Sequence, residues 1–72
     1  MNKDIKILDV VALLGDIPER GLVAGQVGTV LEILDDGVFE VEFSDNEGRA
    51  YAMMPLKADQ LMALHYSPVE AV

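Results

Sequence analysis

Glu32, Glu40 and Glu42 are the residues of this chain whose type and spacing come nearest to chemistry. Glu40 and Glu42 alternate with Val41 in a run of β-forming residues, which puts both carboxylates on one face of a strand. A neighbouring strand that carries Glu32 brings a third carboxylate within roughly 5 to 8 Å of them. Such a set can hold a hard divalent cation or receive a partner rich in Lys and Arg. The plainer reading is a solvated acidic face that discourages edge-to-edge pairing. A glycosidase-like or aspartic-type pair at Glu40 and Glu42 would need a desolvated cleft as well, and outward carboxylates on an open strand lack one.

The other reactive side chains are isolated. His65 has no second histidine and no cysteine to share a metal, and Ser44 and Ser67 lack a base at a recognisable spacing. Asp45-Asn46-Glu47-Gly48 suits a turn better than a calcium loop, and the GxxxxGK[ST] phosphate loop is absent. No catalytic residue, metal site or cofactor is therefore expected. Tyr51 and Met53, with Val38, form a mildly apolar strip beside the acids, and side chains of these types favour interfaces. The expected interaction surface is Glu32, Glu40, Glu42, Tyr51 and Met53, with Asp16, Glu19 and Arg20 of a long loop as its rim.

A hairpin must position these residues. Val27 to Leu34 is aliphatic, Val38 to Phe43 alternates apolar with acidic, and Asp35-Asp36-Gly37 lies between them. That is a strong hairpin signal, with Gly37 taking the positive φ of a three-residue loop. The register follows: Leu34 opposite Val38, Ile33 opposite Phe39, Glu32 opposite Glu40, Leu31 opposite Val41, and Val30 opposite Glu42. A second turn at Asp45 to Gly48 pairs Ser44 with Arg49, Phe43 with Ala50, Val41 with Ala52 and Phe39 with Met54. Both turns assign Phe39 and Val41 to one face. Val38, Glu40, Glu42, Tyr51 and Met53 then point outward. A one-residue slip in either turn would reverse that assignment.

Around the hairpin, Leu8 to Leu14 reads as a first strand, which Ile5 and Ile7 can extend beyond an otherwise frayed start. Gly15 to Gln26 is a long excursion punctuated by glycine and Pro18, in which Gly21, Gly25 and Gly28 mark bends or close backbone approaches. Pro55 is expected to end the fourth strand for want of an amide donor. Lys57 to Gln60 suits one helical turn, and Leu61 to Leu64 a short strand closing on the first. Residues 1–64 make one domain and residues 65–72 a flexible tail.

Composition narrows the function. A chain of 72 residues has no room for a deep cleft, and 13 acids against 5 bases give a net charge of −8. That balance opposes unassisted binding to nucleic acid or to an anionic membrane and favours basic partners or cations. Cysteine is absent. The N-terminus lacks the pattern of a signal peptide and no stretch is long and apolar enough to span a bilayer, so a cytoplasmic location is expected.

The segment DVVALLGDIPERGLVAGQVGTVLEI resembles the KOW-type opening of a Src-homology-3-like small barrel. A closer likeness runs from about Leu8 to Leu64. There LDVVALLGDIPERGL and GQVGTVLEILDDGVFEVEFSDNEGRAYAMMPLKADQL resemble the bacterial family DUF4926, a domain of unknown function. The resemblance implies an all-β fold, a five-stranded Src-homology-3-like barrel with one short helical turn before the last strand. It implies no activity. The function expected is a non-enzymatic protein-interaction module, an accessory or antitoxin-like subunit acting with the product of a neighbouring gene. Its partner is another protein, basic in character, or a second copy in a homodimer. Cation binding at the carboxylates is the alternative, and KOW-like nucleic-acid binding ranks last.

Overall fold

In the computed structural model, which describes residues 5–68, the chain forms five strands and two 3-10 turns. The strands are β1 (Val10–Leu13), β2 (Val27–Asp35), β3 (Val38–Ser44), β4 (Ala50–Lys57) and β5 (Leu61–Ala63). The 3-10 turns are Pro18–Arg20, in the long loop, and Ala58–Gln60, just before β5. All strand pairs are antiparallel, in the order β4-β3-β2-β1-β5. The all-β architecture, the helical turn and the pairing of the last strand with the first are as the sequence implies.

The sheet is open and not a closed barrel. Its edges are β4 and β5, and β5 has only three residues with which to reach across. Pro55 also differs from expectation, because it lies inside β4, opposite Glu40, and the strand runs on to Lys57. A proline is tolerated there because β4 is an edge strand, which can leave one amide position out of the ladder.

The hairpin turn is one residue tighter than its spacing implies. Asp35 pairs with Val38 around Asp36-Gly37, and Gly37 takes φ 75°. Register irregularities then fall between Ile33 and Asp35 and between Val30 and Glu32, each placing one extra residue in β2. The first restores the expected pairs Ile33 with Phe39 and Glu32 with Glu40; the second overturns the next two. Val30 faces Val41 and is wholly buried, whereas Leu31 is bulged out and exposed. The β3–β4 register is two residues further along than expected. Phe43 meets Ala52, Val41 meets Met54 and Phe39 meets Leu56, with an irregularity at Tyr51. An even shift preserves the face, so Phe39, Val41 and Phe43 all stay in the core.

The core collects Val11, Leu13, Val30, Phe39, Val41, Phe43, Met54, Leu56 and Leu61 from one face of the sheet, with Leu22 and Ile5 closing over it. Ile5 therefore neither frays nor extends β1. A turn joins Lys6 to Asp9, with Asp9 N donating to Lys6 O at 3.0 Å and Lys6 N to Asp9 Oδ2 at 2.9 Å. It leaves Ile7 and Leu8 exposed, so β1 begins only at Val10. Gly28 leaves no room for a side chain between β2 and β3. A Cβ there would sit 2.7 Å from Val41 Cγ1 and 2.9 Å from Glu42 O. The expected frayed start and flexible tail lie in part outside the described residues, at 1–4 and 69–72.

Candidate interaction surface

The outer face of the sheet takes its residues from the alternation of β2, β3 and β4. Glu32 stands opposite Glu40, Glu42 lies between Thr29 and Met53, and Val38 lies between Asp35 and Lys57. Glu32 is exposed, and Glu40 and Glu42 are half-buried among their neighbours. The expected trio is thus only partly assembled. Glu32 and Glu40 are direct cross-strand neighbours, but the bulge at Leu31 sets Thr29, not Glu32 or Val30, against Glu42. Among the described residues no group of three or more His, Cys, Asp or Glu side chains is arranged to hold a metal ion. No charged or polar side chain among them is buried.

Met53 is on this acidic face, half exposed and paired with Glu42. Tyr51 is not beside it in the way the alternation implies. The irregularity at Tyr51 brings its ring to 6.5 Å from that of Phe43, a core residue. Its hydroxyl accepts a hydrogen bond from Gln26 Nε2 at 3.0 Å, tying β4 to the end of the long loop. Tyr51 therefore acts as a brace between strand and loop while leaving half of its surface in solvent.

The loop rim forms in part. Asp16 works inside the loop, where its Oδ1 accepts from Ala24 N at 2.8 Å. Ile17 and Leu22 bridge across it through paired backbone bonds of 2.9 and 3.1 Å, which anchors Leu22 in the core. Arg20 reaches the sheet, and Glu19 lines the groove beside it. Arg20 Nη2 donates a long bond of 3.4 Å to Met53 O. Between this turn and Met54-Pro55-Leu56 of β4 lies an open groove of about 310 Å³.

A second exposed region escapes sequence reasoning altogether. Leu31, Ile33 and Leu34 of β2 are exposed, as are Ile7 and Leu8 in the turn that precedes β1. Leu8 N donates to Val30 O at 2.7 Å, so this turn abuts β2 where the bulge begins. Leu8 also has φ 74°, the one non-glycine residue with positive φ among those described. No sequence signal marks that conformation; the run Leu8 to Leu14 reads as a strand because its apolar content is nearly continuous. Among the described residues no helix is long and apolar enough to cross a membrane.

No curated protein and no solved structure matches the chain. A family profile does, over most of the strands and turns just described, and the chain belongs to the family described as domain of unknown function DUF4926, matched over residues 7–63.

Proposed function

We propose that this protein is a non-enzymatic, cytoplasmic interaction module that binds a basic protein through the outer face of its sheet. The observation that carries the reading is the make-up of that face. Glu32, Glu40 and Glu42 alternate with Val38, Met53 and Pro55 on adjacent strands, and none of the six is buried. An acidic surface interleaved with apolar side chains suits a partner that presents Lys or Arg together with aliphatic groups, since opposite potentials steer encounter and the apolar contacts hold the complex. The formal charge of −8 adds long-range attraction for such a partner. The strand order, with a 3-10 turn before β5, supports the finer likeness to an opened Src-homology-3-like barrel. The partner we favour is the product of a neighbouring gene, with this chain as its accessory subunit.

Affinity capture from native cells, followed by reconstitution with the purified partner, tests this. Wild type should retain one basic protein that rebinds in isolation, and the Glu40→Lys, Glu42→Lys variant should lose it. If the charge-reversed variant, shown folded by circular dichroism, holds the same partner equally well, the outer-face reading is wrong.

A further inference from the structure

The distal half of the central hairpin has no neighbouring strand on the β1 side among the described residues. β2 runs to Asp35, but its neighbour β1 begins only at Val10, which pairs with Thr29. The last backbone bonds from that side are Leu8 N to Val30 O and Val30 N to Asp9 O, at 2.7 and 2.9 Å. Beyond them, residues 31–35 of β2 have no backbone partner on the β1 side among the described residues, while their other side is held by β3. A stretch of strand with one edge open is a template for another strand.

Two features distinguish this edge from the others. The first is its exposed apolar lining of Leu31, Ile33 and Leu34, with Ile7 and Leu8 at the point where β1 gives way. The second is the conformation of Leu8. An exposed leucine at φ 74° costs stability that glycine would not, and here it presents an aliphatic side chain to solvent at the mouth of the open edge. By contrast, the β4 edge carries Pro55 and is touched by Arg20, and β5 offers three residues.

We propose that residues 31–35 of β2 accept an extended segment of a basic partner, in which aliphatic residues alternate with Lys or Arg, as an added antiparallel or parallel strand. This deepens the interaction-module reading and rests on it. Charge selects the occupant. Glu32, Asp35, Asp36 and Glu40 cluster along this half of the hairpin, which has no basic residue from Leu31 to Glu40. A second copy of the chain laid along the same edge would set acid against acid between two molecules each of charge −8, which disfavours self-pairing. In a basic segment the aliphatic residues meet Leu31, Ile33 and Leu34 while the cations meet the carboxylates.

The test uses the full-length protein and a synthetic eight-residue peptide of alternating Val and Lys, with two controls: the same peptide N-methylated at every second residue, and a Val-Glu peptide. Amide chemical shifts followed during titration should move at 31–35 and at Leu8. The N-methylated and Val-Glu peptides should leave them in place. Replacing Glu32 and Asp35 by Lys should weaken binding about tenfold, as expected for the loss of several rim attractions, and Ile33→Asp should weaken it further without unfolding the chain. Three results would overturn the proposal: no titration at millimolar peptide, shifts confined to the groove beside Pro18–Arg20, or a concentration-dependent dimer abolished by Ile33→Asp. If the peptide fails while the captured partner still depends on Glu40 and Glu42, the edge assignment falls and the interaction-module reading stands. If both fail, the module reading falls with it.

Discussion

The two halves of the central hairpin share strands and aliphatic character, yet they end in opposite environments. In the proximal half, Gly28 and Val30 of β2 face Phe43 and Val41 of β3, and all four are buried. In the distal half, Ile33 faces Phe39 on the same side of the sheet, but Ile33 is 48% exposed while Phe39 is 6% exposed. What separates them is the third strand. β1 lies beside Gly28 and Thr29, and the Lys6–Asp9 turn then carries the chain away from β2 so that Ile5 drops into the core. Within β2, the change from buried Val30 to exposed Ile33 thus coincides with the end of the pairing to β1, not with a change in hydrophobicity or in the apolar character of the partner across the hairpin.

The comparison breaks most visibly at its two extremes. Phe43→Ala removes a side chain with no exposure from the middle of the core, and truncations of this kind cost about 3 to 5 kcal/mol. For a domain of this size that is most of the stability, so urea denaturation should find Phe43→Ala unfolded or nearly so in buffer. Ile33→Ala, in the distal half, should move the midpoint by less than about 1 kcal/mol, because half of the side chain is already in water. Equal losses at the two sites would mean that the distal half is packed as the proximal half is. A smaller effect separates the halves at the backbone. Gly28→Ala forces a methyl group against Val41 Cγ1 and the Glu42 carbonyl, and overpacking of this kind costs about 1 to 3 kcal/mol. The same denaturation measurement checks it.

Much of this contrast is legible in the sequence, and the part that is not has a definite cause. The alternation of Val38 to Phe43 and the glycines at 37 and 48, both with positive φ, specify which face of β3 is buried. They do so robustly because an even shift in the β3–β4 register keeps the face, so the wrong partner for Phe43 still gave the right environment. The bulges at Leu31 and Leu34 are different. Each is an odd insertion in a run with no glycine to announce it, and the one at Leu31 moves Val30 into the core and Leu31 out. The turn at Leu8 is invisible for a related reason. Its residues are apolar, and what bends them is a carboxylate at Asp9 capping Lys6 N together with the backbone bond to Val30. On the outer face, the side-chain identities of Glu32, Glu40, Glu42 and Met53 were readable from alternation alone. The attachment of Tyr51 to Gln26 was not, because it depends on contact between segments 25 residues apart.

The finest test of the comparison concerns Leu8, which sits at the boundary between the halves. It occupies the third position of the Lys6–Asp9 turn at φ 74° with 71% of its surface exposed. A side chain in that region costs about 1 to 2 kcal/mol through contact of Cβ with the backbone, and glycine gives back about 0.5 to 1 kcal/mol through its looser unfolded chain. Leu8→Gly should therefore stabilise the fold by roughly 0.5 to 1 kcal/mol, retaining the amide that bonds to Val30 O. Leu8→Ala keeps the Cβ and should gain nothing. Should Leu8→Gly and Leu8→Ala instead both destabilise the protein, the leucine side chain would be packing against its neighbours and the distal half would not be open in the sense described. With the expected gain, the same variant should bind the Val-Lys peptide more weakly than wild type while being more stable. That divergence separates a residue kept for contact with a partner from one kept for the fold, because a purely structural leucine would lose both together.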